Sequence, residues 1–166
     1  MDLVVDPAGV AIWGNLRFRC ALGHGGRLRD KREGDGATPV GAWPMRRLLY
    51  RGDRIERPAT ALPVIAIRPQ DGWCDAPQDA KYNQQVELPY AASAESLYRT
   101  DGIYDVIVPL GYNDAPVVAG AGSAIFLHVA RPDFAPTEGC VALLLGDLLT
   151  VLREANGKSR VIVEAR

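Results

Sequence analysis

The apolar residues of this chain come in short β-prone runs, and only one stretch, GDLLTVLREANG, has the spacing of a helix. Leu148, Leu149 and Leu152 recur there at helical intervals, with Asp147 placed to cap the start and Gly157 to stop the end. The 17 glycines and 12 prolines supply breaks between the remaining runs. A chain punctuated this way can bury its apolar residues only as strands joined by turns. The expectation is therefore a mostly β fold with one or two helices.

LVVD and VAIWG, separated by Pro7-Ala8-Gly9, and LRFRCALG beyond Gly14-Asn15, read as an N-terminal β-meander. In the third run Leu16, Phe18 and Cys20 alternate with Arg17 and Arg19, which predicts one packed and one wet face. Residues 23–41 are glycine-rich and charged with no apolar period, hence a loop, and a long ordered loop is more often functional than decorative. AWPMRRLLY is expected to be a strand and LPVIAIRP a buried one. Residues 70–89 are irregular, and AASAESLY suits a short helix. DVIVPLGYN, GSAIFLHVA and RVIVEA are further strands, with a turn over 111–122.

With 166 residues, 48% hydrophobic, the chain suffices for one domain spanning 1–166 with a substantial core. A net charge of −1 argues against nucleic acid as a partner, since phosphate binding needs a cationic surface. The charge is uneven: residues 1–57 carry 11 Lys/Arg against 7 Asp/Glu, which leaves 8 against 13 for the rest. A basic rim for a small anion and ordinary solvated faces both fit that split. No run has the length of a membrane span, and Met1 leads into DLVVDPAGV rather than a signal segment. Cys20, Cys74 and Cys140 are spaced too widely for a zinc knuckle or a CxxC pair, and with two histidines they leave no organised metal or cofactor site. Cys20 and Cys74 are expected to be buried inert thiols, a disulfide between them being the alternative.

Within HVARPDFAPTEGCVAL, His128 and Cys140 stand at the two ends of a short loop. Alternation along SAIFLHV puts Phe126 and His128 on one face and Ile125, Leu127 and Val129 on the other. The intervening prolines and Gly139 allow the chain to return Cys140 beside the imidazole. A thiol of pKa ~8.5 needs such a neighbour to become a nucleophile. Gly139, lacking a Cβ, would let a carbonyl approach, and the N–H groups of residues 139 and 140 could hold an oxyanion. A core histidine beside an inert thiol fits the same spacing.

The order of features along the whole chain resembles the L,D-transpeptidase (YkuD-type) catalytic domain, a single-domain β-sandwich with a helix after the cysteine. The resemblance rests on the meander, Thr38-Pro39-Val40-Gly41 as a TPxG element, an apolar strand ending in His128, Thr137-Glu138-Gly139-Cys140 as an [ST]xGC element, then a helix and a final strand. Most members carry His where this chain has Glu138. The chain is similar instead to a compact branch with GHGG, EGDGATPxG and TxGC elements, associated with cross-links at the first rather than the third stem residue.

The resemblance implies catalysis by Cys140, His128 and Gly139, with the imidazole oriented by a backbone carbonyl such as that of Val129. Peptidoglycan stem peptides would be the partners, a periplasmic or cell-envelope location the setting, and a monomer the form. Stem peptides carry carboxylates, so Arg131 is a candidate anion clamp, with a structural ion pair as its alternative. Tyr82, Asn83 and Trp73 are candidate lid residues contacting substrate, or packing. Thr137 is expected to brace the loop, with Glu138 setting substrate preference. His24 is expected to cap a turn, and Lys31, Glu33 and Asp35 to form a solvated, salt-bridged loop. Three functions remain open at this stage: a transpeptidase, an L,D-carboxypeptidase or endopeptidase using the same thioester, and a non-catalytic peptidoglycan-binding domain.

Overall fold

The computed structural model describes residues 1–165. The meander forms as β1 (Leu3–Val5), β2 (Val10–Trp13) and β3 (Leu16–Arg19). The glycine-rich loop holds β4 (Arg27–Leu28) and ends in β5 (Thr38–Pro39). AWPMRRLLY is not one strand but two, β6 (Gly41–Pro44) and β7 (Leu48–Tyr50). Then come β8 (Val64–Ala66), β9 (Asp71–Cys74), β10 (Gln85–Glu87) and β11 (Ala94–Ser96). A 3-10 turn, Gly102–Tyr104, leads into β12 (Val106–Pro109) and β13 (Phe126–Val129). The chain closes with β14 (Val141–Leu143), α1 (Leu145–Glu154) and β15 (Arg160–Val163).

Two five-stranded sheets dominate, in the orders β3-β2-β1-β15-β6 and β14-β13-β12-β7-β8. The division of AWPMRRLLY follows from these sheets, since β6 belongs to the first and β7 to the second. Buried Met45 lies at the crossing, bridged to Leu110. Between the sheets lies the main core, with Leu3, Val5 and Val161 on one side and Val108, Leu127 and Leu143 on the other. Leu148, Val151 and Leu152 of α1 pack into it. The other face of the second sheet is also covered, because Leu49, Ile107 and Phe126 meet Trp73, Leu97 and Tyr104. Burial on both faces explains why β12 reads as an unbroken apolar run.

AASAESLY does not form a helix. Its centre is β11, which pairs with β9 in the three-stranded sheet β10-β9-β11. Eight residues cannot sustain a helix alone, and a fully buried β9 offers a ladder on each side. LPVIAIRP is an edge strand rather than a buried one, paired on one side only, with Ile65 48% exposed. In β3, also at an edge, Phe18 is half-buried but Leu16 faces solvent, so the expected packed face is incomplete. Asp147 does not cap α1: Leu144 is the N-cap and its side chain has no atom to accept a first-turn N–H, and Asp147 sits inside the first turn.

Candidate active site

Strands β13 and β14 run parallel, with Leu127 opposite Val141 and His128 opposite Ala142. Paired residues share a face, so Leu127 and Val141 enter the main core while His128 and Ala142 look the other way. One pleat before Ala142, Cys140 falls on the His128 face. Cys140 and His128 are thus diagonal neighbours across the β13–β14 pair. His128, Ala142 and Cys140 all line one cavity of about 480 Å³.

Each partner is held by backbone. His128 Nδ1 lies 2.9 Å from the Val129 carbonyl oxygen. A carbonyl can only accept, so Nδ1 carries the proton and the Nε2 lone pair is left to take another. The edge of the Tyr104–His128 pair, ring centroids 5.4 Å apart, fixes the imidazole plane. The Cys140 thiol donates to the Ala124 carbonyl at 3.2 Å, and the Phe126 N–H reaches Sγ at 3.3 Å. Below the thiol, Thr137 Oγ1 donates to the Cys140 carbonyl at 2.7 Å, and its oxygen accepts the Gly139 N–H at 3.2 Å. Thr38 of the TPxG element lies 3.5 Å from the same carbonyl and accepts the Gly23 N–H at 2.9 Å.

The backbone itself requires a glycine at 139. Its φ is +133°, and a Cβ there would stand 2.8 Å from the Ala37 carbonyl oxygen. The glycine-rich loop packs directly against the backbone before Cys140. That loop is not simply solvated. Lys31 is 7% exposed and bonds Asp35 at 2.7 Å, while Glu33 accepts from Tyr82 Oη at 2.5 Å and from Ser123 Oγ. His24 does not serve as a turn cap through its side chain: Nε2 lies 2.9 Å from Glu138 Oε2, over Gly36.

Burial favours the neutral forms of both Cys140 and His128. Desolvation pushes the Cys140 thiol up to about 12, against the Phe126 N–H. Desolvation likewise pulls the His128 imidazole down to about 4, and the Val129 carbonyl only partly offsets this. An ion pair is therefore disfavoured until substrate changes the surroundings.

Arg131 and Glu138 line the cavity, as does Thr137. Arg131 bonds Asp101 at 3.2 Å, and Asp101 is gripped at 2.8 and 2.7 Å by Arg99. Trp73, Tyr82 and Asn83 do not line it and are buried behind it. Asn83 Oδ1 accepts from Trp73 Nε1 and the Ala124 N–H, both at 3.0 Å, so this group frames the residue whose carbonyl receives the thiol. Cys20 and Cys74 are free thiols. Sequence reasoning passed over Glu95, Arg99 and Tyr104, all of which line the cavity. Recognising the β11 segment as a strand would have drawn attention to Glu95.

The family model for the YkuD L,D-transpeptidase catalytic domain matches residues 5–163, nearly the entire chain. The chain belongs to this family. A search of curated proteins found no match to it. The L,D-transpeptidase fold agrees with the strand-rich architecture and single α-helix described above, and the family implies a peptidoglycan substrate and a cell-envelope setting. Among the described residues, no helix is long and apolar enough to cross a membrane.

Proposed function

We propose that residues 1–166 are one catalytic domain that cross-links peptidoglycan stem peptides through a thioester on Cys140. The observation that carries this reading is that Cys140 and His128 open on one cavity, with the imidazole tautomer set by Val129. His128 Nε2 takes the thiol proton as Sγ attacks the carbonyl of an L-residue bonded to a D-residue. The C–N bond then breaks, and the imidazolium returns that proton to the departing amine. An amine of a second stem attacks the thioester, the C–S bond breaks, and Cys140 recovers its proton through His128.

Backbone N–H groups around Cys140 supply the oxyanion hole. Because the Gly139 N–H is already engaged by Thr137 in this state, the Cys140 N–H is the leading donor. Arg131, freed from or bridging Asp101, binds a stem carboxylate. The His24–Glu138 pair at the cavity rim sets substrate preference, favouring attachment through the first stem residue. Trp73, Tyr82 and Asn83 act on substrate through the Ala124 segment. The enzyme works as a monomer in the cell envelope.

Two measurements test the proposal. Intact mass after incubation with a carbapenem is expected to show one adduct on the wild type and none on Cys140→Ala; an unmodified wild type removes the thioester reading. Products from isolated sacculi are expected to include new dimers, whereas shortened stems alone would make the enzyme a hydrolase.

A further inference from the structure

The steps above leave unused Glu95 and Asp75 of the cavity wall. Glu95, on β11, lines the cavity with Cys140 and His128. Tyr104 donates its hydroxyl to Glu95 Oε1 at 3.1 Å, and the same ring meets His128 edge-on. One buried phenol thus touches both the base and the carboxyl. Asp75, on the same wall, has Oδ1 buried with no hydrogen-bond partner among the described residues. Buried acceptors are rarely left orphaned, so this carboxyl is short of a donor and adds uncompensated negative charge to the wall. Arg99 is nearby, but its guanidinium is bound bidentately by Asp101 rather than by Glu95.

We propose that Glu95, with Asp75 beside it, recognises the ammonium of the acceptor stem and takes a proton from it, so that the amine can attack the Cys140 thioester. The proposal rests on the transferase reading above. An ammonium brings three donors and a positive charge, which match the two carboxylates of this wall. It cannot attack until one proton leaves. Glu95 accepts that proton and later releases it to solvent; the nitrogen attacks, the C–N bond forms and the C–S bond breaks. The second nitrogen proton reaches the departing sulfur through His128. Ammonium and thioester thereby become amide, thiol and one released proton.

The charge environment suits the task. Desolvation is the main cause that pushes the Glu95 carboxyl up to about 7, with Asp75 and Glu33 adding to it and Tyr104 and Arg99 opposing. A carboxylate in that range is a better base toward ammonium than an ordinary one, yet still ionised in good part at neutral pH. His128 titrates well below it, so the two are separable in a pH profile.

The test compares wild type, Glu95→Gln and Glu95→Asp with a donor stem peptide and a diaminopimelate-bearing acceptor. The readout is the ratio of dimer to hydrolysed donor, in which the acylation rate cancels. Glu95→Gln is expected to lower the ratio at least ten-fold at pH 7, and Glu95→Asp to recover part of it. The wild-type ratio should bend near pH 7, and the bend should vanish in Glu95→Gln. An unchanged ratio would overturn the proposal, and so would a wild-type profile without the bend, even if Glu95→Gln failed to fold. A wild type that forms no acyl-enzyme by mass would remove the transferase reading first, before partition is measured.

Discussion

At the residue scale, the site's chemistry is set by burial more than by charge. His128 is 5% exposed and Cys140 6%, so each is held in its neutral form. In the proposed mechanism the thiol gains nucleophilicity only as its proton moves to Nε2 during attack, which keeps it inert toward small electrophiles at rest. Alkylation of Cys140 by iodoacetamide, followed by peptide mapping, should rise about ten-fold per pH unit above pH 7 with no plateau below pH 10. A plateau already reached at pH 7 would mean that the resting enzyme holds a thiolate–imidazolium pair. Thr38 and Thr137 matter at the same scale, since their hydroxyls converge on the Cys140 carbonyl from two different loops. The TPxG and TxGC motifs are therefore two parts of one bracket.

At the element scale, α1 begins without a side-chain cap, because Leu144 occupies the N-cap position at 40% exposure. Leu144→Ser would give the first turn a hydroxyl acceptor, raising stability by about 1 kcal/mol and the melting temperature by about 3 °C. An unchanged or lower midpoint in thermal denaturation would show that Leu144 is retained for packing at the β14–α1 junction. Strand β13 was legible in advance because its alternation is written in SAIFLHV, and the sheet faces divide those residues as alternation requires. Strand β11 was not legible. Nothing local in AASAESLY reveals that a buried β9 lies alongside, and tertiary pairing overrides a weak helical preference. The same holds for the solvent exposure of β8, whose run is as apolar as an interior strand's but whose place at the sheet edge is a matter of topology. Motif and spacing singled out Cys140 and His128, which line one cavity; Glu95, Arg99 and Tyr104 carried no such signal, because their single short stretch, 95–104, is brought to that cavity only by the pairing of β11 with β9.

At the scale of the whole molecule, two groups of the cavity that titrate in the acid-to-neutral range pull stability in opposite directions with pH. His128 has its pKa lowered from 6.5 to about 4, so the unfolded chain binds more protons in that window and stability rises with pH there. Glu95 has its pKa raised from 4.5 to about 7, so the folded chain binds more protons and stability falls as pH rises through that range. The two slopes overlap between about pH 4.5 and 6.5 and offset one another. Glu95→Gln removes one side, and its melting temperature should climb more steeply than the wild type's between pH 4.5 and 6.5. Parallel curves for the two proteins would show that Glu95 titrates alike in folded and unfolded chains.

The position of β15 also orders events in time. It lies between β1 and β6, parallel to the first and antiparallel to the second. A nascent chain can assemble the β1–β3 meander early, but the two halves of its sheet have nothing to join them until Val163 is clear of the ribosome. Until then the main core stays open along one wall, with Leu3 and Val5 lacking their neighbours Val161 and Val163. Cooperative closure of this sheet is thereby postponed until β15 has been made, however early the meander forms.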